Sequence, residues 1–83
     1  MNDQRLAVQE RLNQVFREIF DDESIVIHDA MTAKDIYEWD SLMHITLVVG
    51  TEKEFGMELT AEEIGNLNSV GELLDIISER MTR

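Results

Sequence analysis

Cysteine and proline are both absent from the 83 residues, and basic side chains are scarce. No apolar run approaches the length of a membrane span. Without cysteine there is no disulfide and no thiolate metal site, which fits a reducing compartment. The opening MNDQRLAVQE lacks the apolar stretch of a signal peptide, so the expectation is a cytosolic protein with no membrane span. No low-complexity segment or repeat is present, and a chain of this length reads as one domain. Such a domain buries only roughly 60% of its unfolded surface, so its core is modest. There is no room for an enclosed catalytic cleft with supporting shells.

The shortage of bases is the sharper exclusion. Seven Lys and Arg stand against 18 Asp and Glu, a net charge of −11. From Glu18 to Glu79 there are 16 acids, and the only bases are Lys34 and Lys53. Nucleic acid and anionic membrane would both be repelled. Protein partners with basic patches are implied, although acidity also serves plain solubility.

What is present reads as helix. Val8, Leu12, Val15, Phe16, Ile19 and Phe20 recur at helical spacing and predict a first helix over 3–20, with Asp3 as a candidate cap. Asp21-Asp22-Glu23-Ser24 stops it. Residues 21–40 carry Ile25, Ile27, Met31, Ala33 and Ile36 among acids, and a loop of that length is uncommon unless functional. Its apolar residues are expected to pin it across the bundle. A second helix over 41–55 has Leu42, Ile45, Val48 and Val49 as its expected buried stripe, with Phe55 at the end. Gly56 fits the left-handed position that ends it. Thr60-Ala61-Glu62-Glu63 is a capping box opening a short helix over 61–67 that buries Ile64 and Leu67. Ser69-Val70-Gly71-Glu72 is a second box. It opens a helix over 70–81 with Val70, Leu73, Leu74, Ile77 and Met81 inward. The fold class is all-α, a four-helix bundle with a short third helix and a long loop between helices one and two.

Asp40-Ser41-Leu42 stands where the loop turns into helix two. Asp40 suits the N-cap, so Ser41 falls on the first turn, where unpaired amides and the helix dipole favour negative charge. A phosphate ester on Ser41 would sit well there. On these residues alone, Ser41 reads as an ordinary helix-start serine. As a catalytic nucleophile it would need a base and an oxyanion hole. His44 lies three residues on, but no acid orients it, Asp40 is better used as a cap, and no G-x-S-x-G elbow surrounds the serine. Otherwise His44 is a solvent-facing helix residue and His28 a loop surface residue. Calcium binding of the EF-hand kind needs a central glycine that the 21–26 segment lacks, and no metal site is expected.

The loop DDESIVIHDAMTAKDIYEWDSL, the helix LMHITLVVGTEKEF, the turn GMELTAEEI and the closing NSVGELLDII together resemble the acyl carrier proteins of the phosphopantetheine-binding family. The resemblance covers nearly the whole chain. It implies that 4′-phosphopantetheine is attached covalently to Ser41, within the motif Asp40, Ser41, Leu42. It implies a phosphopantetheinyl transferase as one partner, and acyl-loading and acyl-using enzymes with basic patches as others. The carrier would be a non-catalytic monomer that carries thioesters.

Two acids familiar in fatty-acid carriers, two and five residues after the serine, are replaced by Met43 and Thr46. Lys53 interrupts the acids at 52–54. With Trp39 before the motif, the chain is similar to stand-alone carriers of specialised pathways. Met43, His44 and Thr46 are the candidate partner-binding residues, and Trp39 is expected to staple the loop against His44. An aminoacyl or peptidyl carrier, or an unmodified acidic interaction module, are the alternatives.

Overall fold

In the computed structural model the chain is all-helical, in the order α1 (Asp3–Ile19), a 3₁₀ turn (Ala33–Asp35), α2 (Ser41–Phe55), α3 (Ala61–Gly65) and α4 (Val70–Met81). The structure describes residues 3–36 and 39–81, with Asp3 described by its backbone alone. The capping role expected of Asp3 therefore lies outside the described side chains. The expected class holds: four helices, the third a single short turn, and a long connection between the first two.

Helix α1 packs against both α2 and α4. Val8, Leu12, Val15 and Phe16 are buried on one face at helical spacing. Phe20 is buried just beyond the helix, while Ile19 is only half-buried. Asp21 adopts a left-handed φ of 51°, and the Asp22 amide donates to the Arg17 carbonyl at 3.0 Å, closing the helix. Asp22 then holds Ser24 through both its hydroxyl (2.5 Å) and its amide (2.9 Å). Those two bonds keep the Asp22 carboxyl below its ordinary range, the hydroxyl contributing most.

The long connection is fastened to the bundle through its backbone as well as its side chains. Ile25, Ile27 and Met31 are buried as expected, but Ala33 is exposed and Ile36 only half-buried. Gln9, Asn13 and Arg17, four residues apart along one face of α1, reach the loop. Asn13 is buried; its Nδ2 donates to the Ile25 carbonyl at 3.1 Å and its Oδ1 accepts from the Ile27 amide at 2.6 Å. Gln9 Nε2 donates to the Ile27 carbonyl (3.1 Å), and Arg17 Nε to the Ile25 carbonyl (2.8 Å). On the other side, the amides of Val70 and Gly71 donate to the carbonyls of Met31 (2.8 Å) and Asp29 (2.9 Å). Gly71 is required there, because an added Cβ would sit 2.9 Å from the Asp29 carbonyl oxygen. Thr32 and Asp35 form a capping box around the 3₁₀ turn.

Helix α2 spans the expected residues, with Gly56 left-handed at its end, but it is turned to a different face. Leu47, Val48 and Thr51 are buried, whereas Leu42, Ile45 and Val49 are 72%, 59% and 42% exposed. Only Val48 of the expected stripe lies in the core. Apolar residues occur on every side of this helix, so hydrophobic spacing alone does not set its rotation. Gly50 and Thr51 set it. An added Cβ at Gly50 would lie 2.7 Å from Ile19 Cδ1, so the missing side chain admits α1 closely. Thr51 is tolerated inside because its hydroxyl donates to the Leu47 carbonyl at 2.8 Å.

Helix α3 is shorter than expected, and Ile64 and Leu67 are half-buried rather than buried. Its capping box is present: the Thr60 amide donates to Glu63 Oε1 (2.9 Å) and the Glu63 amide to Thr60 Oγ1 (3.1 Å). In α4, Val70, Leu73, Leu74 and Ile77 are buried, but Met81, the last residue of the helix, is 41% exposed. The second expected box is altered. The Glu72 amide donates to Ser69 Oγ (3.4 Å), yet the Glu72 carboxylate accepts from the Asn68 amide (2.5 Å), not from Ser69. Arg80 ties α4 to α3, pairing with Glu63 and donating to the Glu58 carbonyl (2.7 Å).

Two consequences are measurable. Replacing Asn13 by Leu keeps the branched shape but strands the Ile27 amide inside the protein and leaves the Ile25 carbonyl to Arg17 alone. Stability should fall by about 2 kcal/mol in urea unfolding, a large part of what so small a domain possesses. Asn13→Asp should cost less, since it keeps the acceptor for the Ile27 amide.

The second concerns Glu63. Its carboxyl is held down to about 2 from an ordinary 4.5, chiefly by Arg80 and next by the Thr60 amide. A depressed carboxyl contributes stability that is fully present above 4.5 and lost as pH falls through about 2. Carboxyl NMR titration should therefore place Glu63 well below other glutamates, and Arg80→Ala should move it most of the way back. An ordinary titration of Glu63 in the unmodified protein would show that the Arg80 contact is not maintained.

Candidate attachment site

The approach to α2 is built on Trp39. Its amide donates to the Ile36 carbonyl at 3.1 Å; Tyr37 and Glu38, between them, lie outside the described residues. The indole ring is half-buried. It meets Phe16 edge-on at 5.4 Å, lies tilted to Phe20 at 6.2 Å and stacks on His44 at 6.0 Å with 20° between planes. Trp39 Nε1 donates to His44 Nδ1 at 3.2 Å. The expected staple between Trp39 and His44 is thus present. It is stronger than a contact, because it combines stacking with a hydrogen bond.

That hydrogen bond fixes the tautomer of His44. With Nδ1 accepting, the ring proton is on Nε2, which faces the Ile64 carbonyl at 3.4 Å. His44 is therefore half-buried and engaged on both sides, not the solvent-facing residue expected of it. It links the start of α2 to α3. Both ring nitrogens are engaged, one by Trp39 and the other by Ile64. His28 is exposed in the loop as expected. Among the described residues, no group of three or more His, Asp or Glu is placed to hold a metal ion.

Asp40 follows in extended conformation and caps α2. Its Oδ1 accepts from the Met43 amide (2.9 Å) and its carbonyl from the His44 amide (2.9 Å). Ser41 is thereby the first residue of a fifteen-residue helix, and its side chain is exposed. It lies on a groove of about 540 Å³ between α2 and α3, bordered by Asp40, His44, Ile45, Ile64 and Gly65.

The remaining candidates separate by face. Leu42 is exposed beside Ser41. Thr46 is exposed, with its hydroxyl donating to the Leu42 carbonyl at 3.1 Å. Met43 is half-buried and packs on the core, so it is not the exposed apolar contact that the sequence suggests. The outward apolar residues are Leu42, Ile45 and Val49, three and four apart on the face away from α1. No acid stands in the first turn of α2. Sequence reasoning missed this face because it placed those side chains inside; Gly50 and Thr51 were the signals that could have found it.

No protein-family model matches the chain. Over 56 residues, 68% of this chain and 68% of the relative, it is 36% identical to an acyl carrier protein of Thermosynechococcus vestitus. The fold is similar to the solution structure of a holo acyl carrier protein from Geobacter metallireducens. The TM-score is 0.84 and the identity 34%, covering all of this chain and 90% of that one. A hydroxyl presented on a capped helix start, inside a bundle shared over its whole length and in a sequence more than a third identical, places this chain in the acyl carrier protein family.

Proposed function

We propose that the chain carries acyl groups as thioesters on a 4′-phosphopantetheine arm attached to the hydroxyl of Ser41, for a specialised pathway. The observation that carries this reading is the placement of Ser41: exposed, first in α2, with Asp40 as its cap. A phosphodiester there would meet the positive end of a fifteen-residue helix. When bound, the arm supplies a terminal thiol that forms the thioester. The chain's own residues hold and orient. Asp40 and the Trp39–His44 staple fix the start of α2, so a transferase meets a rigid serine. Tethering then raises the effective concentration of the cargo at each enzyme that docks. In this reading Ser41 forms the bond to the arm, and the chain acts as a substrate of its partners and not as an enzyme.

Docking falls to the outward face of α2. Leu42, Ile45 and Val49 form an apolar stripe beside Ser41, with Thr46 at its edge. The net charge of −11 steers partners with basic patches toward the molecule. With Met43 and Thr46 where acids would strengthen that attraction, close contact rests more on apolar burial. This favours a dedicated partner set over primary fatty acid synthesis, with the carrier acting as a cytosolic monomer. Acyl cargo is favoured over aminoacyl or peptidyl cargo by the relatives.

Coexpression with a broad phosphopantetheinyl transferase should add the mass of one phosphopantetheine, and Ser41→Ala should abolish the addition. An unshifted mass with several competent transferases would leave an unmodified acidic interaction module. For the docking face, Ile45→Glu should lower the transfer rate from the loaded carrier to its own partner enzyme by roughly tenfold or more. The helical circular dichroism should be unchanged, because Ile45 is 59% exposed. Undiminished transfer would move docking to another face. Met43→Asp should instead destabilise the fold, because Met43 packs on the core.

A further inference from the structure

Two hollows adjoin the start of α2. One is the groove of about 540 Å³ that contains Ser41. The other is a hollow of about 430 Å³ beneath α2, lined by the apolar Leu47, Val48, Val70 and Leu73 together with the polar Thr32, Lys34, Asn68 and Ser69. The two share Ala33, Trp39, His44 and Leu67, so these residues are the wall between them. In that wall, Trp39 and His44 are stacked and hydrogen-bonded. His44 also reaches Ile64 on the far side of the groove, and Trp39 is braced against Phe16. Opening the wall means breaking the bonds at both ring nitrogens of His44 and unstacking the pair.

We propose that the Trp39–His44 pair is a specificity-determining partition that keeps a group tethered at Ser41 in the outer groove and closes the apolar cavity under α2 to it. The inference rests on Ser41 being the attachment point. An alkyl chain of several carbons gains by leaving water, and the cavity offers two Leu and two Val side chains to receive it. With the partition shut, that gain is not available. The groove outside is bordered by Asp40 and Ser41 as well as Ile45 and Ile64 and is open to solvent on one side. Such a surface suits short or polar acyl groups, which lose little by staying wet, and gives no shelter to long alkyl chains.

The partition can be tested without any transferase, because the chain has no cysteine. Ser41→Cys gives a single thiol that reacts with N-octylmaleimide or, as a short control, N-ethylmaleimide. Methyl spectra of the labelled full-length chain then report where the octyl group lies. The expected result is that the octyl group moves the Ile45 and Ile64 methyl signals and leaves those of Leu47, Val48, Val70 and Leu73 where the ethyl control has them. Adding His44→Ala should then move the cavity methyls. Trp39→Phe, which keeps a ring but removes the indole donor, serves the same purpose if the alanine variant loses its helical circular dichroism. Cavity methyls already moved by the octyl group with Trp39 and His44 both present would overturn the proposal. So would cavity methyls unmoved in a folded variant lacking either partner. Because the label is chemical, a failure of enzymatic modification at Ser41 is seen separately, in the intact mass.

Discussion

A polar loop cannot cross the face of a small apolar core unless its backbone groups find partners, and most of this structure follows from how that is arranged. Each buried amide or carbonyl left alone would cost about 1–3 kcal/mol, against a total stability for such a domain of about 5–15 kcal/mol. The loop has no strand to pair with. Side chains of α1 take the place of one: Gln9, Asn13 and Arg17 meet the backbone of Ile25 and Ile27 as a neighbouring strand would. The first amides of α4, which no helix can satisfy internally, close the other end on Asp29 and Met31. With both ends fixed, Ile25, Ile27 and Met31 enter the core. The loop that precedes Ser41 in the chain is thus fastened by residues on α1 and α4 far from it in sequence.

Four of the five arginines in the chain are used inside this arrangement. Arg5 bridges Asp29 of the loop and Asp75 of α4, and both partners raise its pKa, Asp29 the more. Arg11 joins Glu54 and lies over the Phe55 ring at 4.5 Å, fastening α1 to the end of α2. Arg17 is bonded to the loop and Arg80 to α3. Individually such partly exposed pairs contribute little. Together they connect every helix to another. The acids that remain have no such internal counterpart in number, so the outward field is negative. One distribution of charge therefore serves two ends: the arginines hold the helices together, and the surplus acids select basic partners.

How much of this was legible in the sequence differs from helix to helix for physical reasons. Helix ends were readable because caps are local: Asp40, Gly56 and Thr60-Glu63 act within four residues of themselves. The faces of α1 and α4 were readable because each has one apolar stripe, apart from Ile19 and Met81 at their last positions. The face of α2 was not, since apolar residues surround it and the deciding features were an absent side chain at Gly50 and a buried hydroxyl at Thr51. Neither registers as hydrophobic. The loop ladder was also hidden, because Gln9, Asn13 and Arg17 look like the solvent side of an amphipathic helix until the loop is laid over them. At the site, the Asp40 cap, the exposed Ser41 and the Trp39–His44 pair were legible, and the link from His44 to Ile64 was not, since it joins residues 20 apart.

That last link changes what α3 is. A five-residue helix has no fully buried side chain of its own and is far too short to be stable alone. It is held from outside, by Arg80 on Glu63 at one end and by His44 on the Ile64 carbonyl at the other. One wall of the groove beside Ser41 is therefore a short element held by these polar contacts and by the packing of Ile64 on the core. The other wall, α2, is anchored by Leu47, Val48 and Thr51 in the core. If the groove changes width, α3 is the side that moves, and the histidine that restrains it is the same one that closes the cavity beneath. Local opening at α3 and access to the apolar cavity are then one event, governed by whether His44 keeps both of its bonds.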